Sequence, residues 1–298
     1  MLLGRGMYVV TCVTGRTGAI VARLLLEAGR KIRVVVRKDR ASEAWRARGA
    51  EVAIADYEDV PAMTEALRGG AAAYVIPPPL PVTEAGHHAY RVSRTQTLAA
   101  AIRGAGVHEI VSLSSFAAQH ADGTGMIKSC HTCERVLDEL SGANVTHLRP
   151  SFFIENWAAQ VSAVKDGLLP SFLGPVDRKF TMVGTADIAS AATRLLLEPV
   201  GERRVVQLSG PEDYSVADVA RAFGRLLGRA VEPLVLPVTT MADELIARGF
   251  SSDTATNYQE LFSGMMTGHV ALDPRLPVQR GTLGLAYTLG VVLARSGG

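Results

Sequence analysis

Short apolar runs alternate with longer stretches in which apolar residues recur every three or four positions through the first half of the chain. The runs are rich in valine, isoleucine and alanine, which is typical of buried parallel strands, and the longer stretches have helical spacing. This alternation predicts an α/β fold built on a doubly wound parallel sheet. The predicted strands are residues 8–14, 31–38, 51–56, 72–76, 107–115 and 144–148. The predicted helices between them are residues 20–28, 41–48, 60–67, 86–104 and 128–140.

A glycine-rich turn joins the first predicted strand to the first predicted helix. Glycines let the backbone approach a pyrophosphate, and the free N–H groups at a helix start favour an anion, so this turn predicts a dinucleotide-binding site. The alternative is an ordinary loop between strand and helix. Val21 is interpreted as standing at the third glycine position, which predicts a helix slightly further from the sheet. The predicted phosphate-binding residues are Gly15, Arg16, Thr17, Gly18, Ala19 and Ile20.

The end of the second predicted strand lies about 20 residues after the glycine turn, where dinucleotide-binding folds meet the adenosine ribose. Arg37 and Lys38 stand there instead of the carboxylate typical of NAD-binding proteins, and two cations favour the 2′-phosphate of NADP. The alternative is that both are solvated charges, and Asp39 lies close by. Asp56 and Tyr57 follow the third strand as candidates for contact with the adenine, and Asp56 as a simple turn former is the alternative.

Two further strand ends provide candidate cofactor contacts. A proline cluster, residues 77–79, follows the fourth strand, and the chain must leave the sheet there because prolines cannot continue a central ladder. The fifth strand ends in the two hydroxyls of Ser114 and Ser115. Because open α/β sheets bind ligands beyond the carboxyl ends of their strands, we predict that Pro77 and Ser115 contact the cofactor.

Composition narrows the class of protein. The 298 residues are 48% hydrophobic, and a net charge of +2 without a Lys/Arg block argues against direct binding of nucleic acid. The apolar runs fall short of the roughly 20 residues of a membrane span, and the segment 1–6 is too short for a signal peptide. Three cysteines argue against a disulfide framework and favour a cytoplasmic location.

Two motifs suggest metal or redox chemistry but are interpreted as ordinary. Cys130-x-x-Cys133 has no second cysteine pair, and no thioredoxin-like strand precedes it. His87 and His88 have no ligand partners at a suitable spacing. We therefore predict that the two cysteines are ordinary small residues of a helix, that the two histidines are solvated, and that the protein has no metal site.

The regular alternation thins after Trp157. We predict a dinucleotide-binding domain over residues 1–155 and a smaller C-terminal α/β substrate lobe over residues 156–298, parts of which return to the first sheet. Thr185 or Asp187 is predicted to act as cap or dipole partner at a helix start. The predicted elements of the second half are a strand at 204–208 and helices at 161–169, 188–197, 215–227, 239–249 and 257–266, with a last helix after 277–282.

The motifs in combination resemble those of the NmrA-like branch of the atypical short-chain dehydrogenase/reductase superfamily. The matching motifs are Val13-Thr14-Gly15-x-Thr17-Gly18, Val36-Arg37, the proline cluster, Leu148-Arg149-Pro150-x-Phe152-Phe153-x-Glu155-Asn156-Trp157, Val183-x-x-x-Asp187-Ile188 and Arg280-Gly281-Thr282. The resemblance covers nearly the whole chain. It implies a Rossmann domain, a small C-terminal substrate lobe and the cofactor NADP(H).

The resemblance leaves the proton donor open. The Tyr-x-x-x-Lys pair of ordinary short-chain dehydrogenases is absent, because none of the seven tyrosines has a lysine four residues on. Family reductases place a Lys or His on the helix that here carries Lys128 and His131. His131 is the better candidate for the catalytic acid because imidazole titrates near neutral pH.

These features together predict an NADPH-dependent reductase that transfers hydride to a conjugated or aromatic acceptor, such as a quinone or dye. The resemblance also admits a non-catalytic NADP(H) sensor that contacts a regulatory partner, and the fold admits a non-redox enzyme such as an isomerase. A homodimer is a further possibility. The predicted acceptor pocket is lined by Phe116, Phe152, Phe153, Trp157 and the region of Met265 and Met266.

Overall fold

The computed structural model describes residues 6–39 and 42–296. Residues 1–5, which hold most of the segment interpreted as too short for a signal peptide, and Ala41 of the predicted second helix lie outside that part. The strands are β1 (Met7–Val10), β2 (Ile32–Val36), β3 (Glu51–Ile54), β4 (Gly70–Val75), β5 (Glu109–Leu113), β6 (Asn144–Pro150), β7 (Phe152–Phe153), β8 (Leu168–Ser171), β9 (Phe180–Val183), β10 (Arg204–Ser209), β11 (Asp213–Tyr214), β12 (Glu232–Val235) and β13 (Val278–Arg280). The α-helices are α1 (Arg16–Glu27), α2 (Ser42–Arg46), α3 (Val60–Leu67), α4 (His87–Ala105), α5 (Lys128–Asp138), α6 (Val161–Lys165), α7 (Thr185–Leu197), α8 (Val216–Leu227), α9 (Met241–Ala247), α10 (Ser252–Thr267) and α11 (Leu285–Arg295).

Eight parallel strands form the main sheet in the order β3-β2-β1-β4-β5-β6-β10-β13. The order reverses between β1 and β4, and open sheets of this kind bind ligands in the crevice at such a switch point. The predicted doubly wound α/β fold is thus confirmed. The glycine turn follows β1 and the proline cluster follows β4, so both lie at the switch point.

The two faces of the sheet are covered by different helices. In β1, Tyr8 and Val10 pack on the side of α1 and α7, whereas Val9 packs on the side of α3, α4 and α5. This alternation follows from the two-residue period of a strand. All three side chains are at most 1% exposed, as expected for a strand in the middle of a sheet covered on both faces.

The second half of the chain extends the same sheet. β10 pairs with β6 over Arg204–Leu208, and β13 pairs with β10 at the edge. β7, β9 and β11 form a separate three-stranded sheet, and β8 pairs with β12. The division at residue 155 stays a prediction, since segments on both sides of it share the main sheet.

Three predicted elements of the second half have different bounds in the structure. The helix predicted over 161–169 ends at Lys165, because Gly167 has a φ of +90° and the chain turns into β8. α10 begins at Ser252, five residues before the predicted start, where the Ser251 side chain accepts the Thr254 N–H. The tail segment before the last helix contains the edge strand β13.

Candidate cofactor and acceptor site

The turn between β1 and α1 leaves backbone donors free at the head of a helix. Gly15 is the N-cap of α1 and gives it no side-chain hydrogen bond, and the first turn of the helix carries no acid. The Gly15 N–H donates to the Cys12 carbonyl at 2.9 Å, which closes the turn. The N–H groups that follow are suited to an anion such as a pyrophosphate, as predicted from the glycines.

The glycine pattern begins three residues earlier than the sequence analysis placed it. Cys12 has a φ of +52°, the left-handed conformation that the first glycine of such turns adopts. A Cβ on Gly18 would lie 2.4 Å from the Cys12 carbonyl oxygen, so Gly18 is the position that lets α1 approach β1 closely. Val21 is fully buried in the core, and the prediction that it holds the helix away from the sheet was wrong. Cys12 is the residue that departs from the glycine pattern.

Thr17 links the glycine turn to the main sheet through a side-chain hydrogen bond. Its side chain is buried, and its hydroxyl accepts a hydrogen bond from the Tyr74 hydroxyl at 3.2 Å. Tyr74 lies in β4, the neighbour of β1 across the switch point. The side chain of Thr17 therefore joins α1 to the sheet, and a contact with the cofactor is left to its backbone N–H.

The residues predicted to contact the adenosine end of the cofactor lie at the carboxyl ends of β2 and β3. Arg37 and Lys38 are both exposed directly after β2. Asp39 pairs with Arg46 at 3.6 Å, so its charge is partly balanced. Tyr57 is buried, and its hydroxyl lies 3.4 Å from the Cys12 sulfur.

Electrostatics place Arg37 near this pair of side chains. Burial raises the pKa of the Tyr57 phenol well above its ordinary value, and the charge of Arg37 opposes the rise. Burial likewise raises the pKa of the Cys12 thiol, against the hydrogen bond with Tyr57 and the charge of Arg37. The thiol is therefore held neutral, and Cys12 and Tyr57 form a hydrogen-bonded pair within the field of the Arg37 charge.

The two remaining cofactor candidates on this side differ in exposure. Asp56 is exposed, and its Oδ1 accepts the Glu58 N–H at 3.1 Å, which is the geometry of a turn former. Pro77 is buried and lines a very small cavity between the sheet, α4 and α5. Contact of either residue with a cofactor stays a prediction.

An aromatic cavity of about 690 Å³ opens beside the glycine turn. It brings together six of the residues predicted for the site, and its aromatic rings meet edge to face: Phe152 lies 6.3 Å from Trp157 and 6.2 Å from Phe262, between ring centroids. We refer to this cavity as the acceptor pocket. The predicted site residues that line it are Arg16, Ser115, Phe116, Phe152, Phe153 and Trp157.

One wall of the acceptor pocket was missed by the sequence analysis. It comes from the end of β8, from α9 and from α10, whose Tyr258, Leu261 and Phe262 have the spacing of one helical face. The predicted contribution of Met265 and Met266 was wrong: Met265 is buried in the core, and the Met266 sulfur accepts the Gly174 N–H at 3.3 Å. The aromatic lining that was not predicted comprises Phe172, Phe250, Tyr258 and Phe262.

A buried ion pair joins β6 to α5. Arg149 at the end of β6 donates to both carboxylate oxygens of Glu134, at 2.8 and 2.5 Å, and the Ser114 hydroxyl donates to the same carboxylate at 2.5 Å. Both charged side chains are about nine-tenths buried. Such a fully paired network fixes the end of β5, and with it the neighbouring Ser115, against α5.

His131 and Lys128, the predicted proton donors, do not line the acceptor pocket. The His131 Nδ1 lies 2.9 Å from the Ala118 carbonyl, and because a carbonyl only accepts, this nitrogen carries a proton. His131 can then donate toward a substrate only as the doubly protonated imidazolium. The charge of Lys128 adds to the effect of burial in lowering the pKa of His88 at the start of α4. A catalytic role for either residue stays a prediction.

The histidines at the start of α4 differ from each other. His87 is buried rather than solvated, which corrects the prediction, and its burial together with the charge of Arg91 lowers its pKa to about 4. The preceding Gly86 donates its N–H to Asp253 of α10 at 2.9 Å. The proline loop after β4 is thus tied to the wall of the acceptor pocket.

Residues of the family motifs link distant segments of the C-terminal half, and we call these links the C-terminal joints. The Thr185 N–H and hydroxyl both donate to Glu155, at 2.8 and 2.5 Å, so the start of α7 is capped from another segment. Asp187 instead accepts the N–H groups of Thr282 and Leu283, at 3.2 and 2.9 Å. A Cβ on Gly281 would lie 2.3 Å from the Asp187 carboxylate, which explains the glycine there.

The described ranges, 6–39 and 42–296, contain no cluster of three or more His, Cys, Asp or Glu side chains arranged to hold a metal ion. No helix in them combines the length and the apolar character that crossing a membrane requires. Cys130 and Cys133 are free and buried, and burial raises the pKa of both thiols.

Known proteins share this architecture. The chain matches the NmrA-like family over residues 7–283. It is 25% identical over 258 residues to the NAD(P)H azoreductase of Xenophilus azovorans, covering 86% of each chain, and 29% identical over 230 residues to quinone oxidoreductase 2 of Escherichia coli (strain K12), covering 76% of each. The crystal structure of an Escherichia coli NADPH-dependent quinone oxidoreductase complexed with NADPH has a TM-score of 0.81 and 25% identity over 96% of this chain and 99% of that one. Since the match spans both the glycine turn and the C-terminal joints, the chain belongs to the NmrA-like family.

Proposed function

We propose that this protein is an NADPH-dependent reductase that passes hydride to a conjugated, aromatic acceptor such as a quinone or a dye. One observation carries the proposal: Arg16 belongs both to the glycine turn and to the lining of the acceptor pocket. The two sites therefore share an edge, as hydride transfer between bound partners requires.

The residues on the cofactor side fit NADPH. The free N–H groups at the start of α1 would hold the pyrophosphate, and the exposed Arg37 and Lys38 would pair with the 2′-phosphate. Ser115 lies on the acceptor side of the switch point and would contact the nicotinamide end. When bound, the cofactor supplies the hydride, and the protein binds, orients and shields the reacting groups.

The residues on the acceptor side fit a flat, apolar ring system. The edge-to-face contacts of Phe152 with Trp157 and Phe262 hold the aromatic walls in fixed orientations. A pocket of about 690 Å³ has the size of a small-molecule site. For a quinone or dye, the anion formed by hydride transfer is delocalised, so the need for a strong protein acid is small.

Relatives support this proposal over a purely regulatory role. The azoreductase and the quinone oxidoreductase carry names of enzymes that use NAD(P)H or reduce quinones. A sensor that only binds the dinucleotide has no use for a large aromatic pocket beside the glycine turn. We also propose that the protein forms a homodimer or binds a regulatory partner. The three free thiols favour a cytoplasmic location, which we propose as well.

The deciding experiment follows NADPH oxidation with a panel of naphthoquinones, azo dyes and triphenylmethane dyes. We expect turnover well above the rate without enzyme for at least one of these classes, and a preference for NADPH over NADH. Tight binding of NADPH without turnover of any of them would favour the sensor. The heat-denatured protein is the control for reduction of acceptors by free NADPH.

A further inference from the structure

Tyr258 contributes a phenol side chain to the lining of the acceptor pocket. It lies in α10 and lines the pocket, and its ring meets that of Phe250 edge to face at 6.0 Å between centroids. Within residues 6–39 and 42–296 the structure gives this hydroxyl no hydrogen bond. The ring is thus held in one orientation while its hydroxyl is free to bond a ligand.

Arg16 is the charge that acts on this hydroxyl. Burial raises the pKa of the Tyr258 phenol, and the guanidinium of Arg16 opposes that rise. Both side chains line the acceptor pocket, and Arg16 directly follows Gly15 of the glycine turn. Tyr258 and the first residue after Gly15 of the glycine turn therefore line the same pocket.

The charges that line the pocket are cationic. Arg16 comes from α1, and Arg248 follows α9, where it pairs with Glu244 at 3.5 Å. Among the described residues no Asp or Glu lines the pocket. A cation beside a phenol stabilises the phenolate that remains after proton donation, and no carboxylate in the lining counters this effect.

We propose that the Tyr258 hydroxyl donates the proton to the carbonyl oxygen of the acceptor as hydride reaches its conjugated system. This inference rests on the proposed reductase function. The O–H bond of Tyr258 breaks as a new O–H bond forms on the acceptor, and Arg16 stabilises the phenolate. The hydride brings two electrons, so NADPH is oxidised and the acceptor is reduced, and the phenolate takes its proton back from water.

The geometry favours Tyr258 over the donors predicted from the sequence. His131 is held by the Ala118 carbonyl, and neither His131 nor Lys128 belongs to the pocket lining. Tyr258 was missed because it does not belong to a Tyr-x-x-x-Lys pair. In this chain the phenol and the cation come from opposite ends of the sequence.

The test compares Tyr258→Phe with Tyr287→Phe, a matched control whose ring is 58% exposed on α11. Acceptors are a series of substituted 1,4-quinones and 2-cyclohexenone, ordered by the basicity of the reduced oxygen. We expect kcat of Tyr258→Phe to fall by less than about threefold for the best stabilised anions and by about 100-fold for the most basic, with KM nearly unchanged. Tyr287→Phe should match the wild type throughout.

Three further readouts separate chemistry from folding. The Kd for NADPH and the melting temperature of Tyr258→Phe should stay close to those of the wild type. The raised phenol pKa predicts a wild-type kcat that is flat from pH 6 to 9, whereas donation by imidazolium would make it fall across that range.

Each outcome decides between the proposals. Three results would overturn the role of Tyr258 while leaving the reductase function intact. Tyr258→Phe could lose activity equally for all acceptors, or it could lose none. Alternatively, only His131→Ala could show the loss that depends on the basicity of the acceptor. If the wild-type protein reduces none of the compounds, the reductase and the role of Tyr258 fall together.

Discussion

The cofactor side of this molecule is built from consecutive βα units, whereas the acceptor pocket is assembled from segments far apart in the chain. The glycine turn, Arg37 and Tyr57 follow β1, β2 and β3 in order. The pocket instead combines Phe116 after β5, Phe152 in β7 and an entire wall from the C-terminal half. The first site is specified by local backbone conformation and the second by long-range packing.

This difference has a consequence for variants. A change on the cofactor side should alter turnover of every acceptor by the same factor, because all acceptors depend on the same bound dinucleotide. A change on the pocket side should alter the ranking of acceptors and leave NADPH binding unchanged. The following predictions test that separation, from the largest expected effect to the smallest.

Gly18→Ala should have the largest effect. The new Cβ would lie 2.4 Å from the Cys12 carbonyl oxygen and 2.8 Å from the Thr11 carbonyl oxygen, so the backbone must shift. We expect a loss of about 3 kcal/mol in the free energy of unfolding, measured in urea, and loss of NADPH binding. In the control Gly15→Ala, the nearest atom lies at 3.1 Å, and a smaller effect is expected. Equal stability of the two variants would contradict the assignment of Gly18 as the close-approach position.

Arg37→Glu should weaken NADPH binding much more than NADH binding. A charge-assisted contact with the 2′-phosphate is worth about 1.5–3 kcal/mol, which corresponds to roughly 10- to 100-fold in Kd. Arg46→Glu is the control for a general change of charge at the same edge, since Arg46 pairs with Asp39. Titration of cofactor fluorescence measures both Kd values. Equal weakening of NADH binding would show that Arg37 does not contact the 2′-phosphate.

Phe262→Ala should change the ranking of acceptors. Its ring meets both Phe152 and Phe172 edge to face, so its removal loosens the wall formed by α10. We expect kcat/KM to fall about tenfold for small quinones and less for bulky dyes, with the Kd for NADPH unchanged. Leu226→Ala, at a side chain 41% exposed on α8, is the control. A uniform loss over all acceptors would break the proposed separation of the two sides.

The smallest effect concerns the pH dependence of stability, which we trace to His87 at the start of α4. Burial lowers the pKa of His87 to about 4 in the folded protein, below the value of about 6.5 expected in the unfolded chain. The unfolded state therefore binds the proton more readily, and stability is lost as pH falls from about 6.5 toward 4. We expect the melting temperature of the wild type to fall from pH 7 to pH 5, and that of His87→Gln to fall less. Parallel curves would assign the loss to other groups.

The parts of the fold that the sequence predicts are those specified locally. Six strands, the helices between them and the glycine turn follow from periodicity and turn chemistry within one βα unit each. The conformation of Cys12 was not predictable, because nothing in its side chain marks a positive φ. β8 and β13 were missed because each is short and is stabilised by pairing with a distant strand. Phe116, Phe152, Phe153 and Trp157 were placed by their motifs, whereas Phe172, Phe250 and Tyr258 belong to none of those motifs.

The position of β6 inside the main sheet constrains how the protein reaches its native state. β6 has β5 on one side and β10 on the other, and its His147 and Arg149 side chains are buried. A polypeptide that stops at residue 155 would expose the unpaired backbone of β6, and such an edge recruits strands from other molecules. On a ribosome, the main sheet therefore stays incomplete until β10 and β13 have emerged, and we expect the edge of β6 to need protection against self-association until β10 has paired with it.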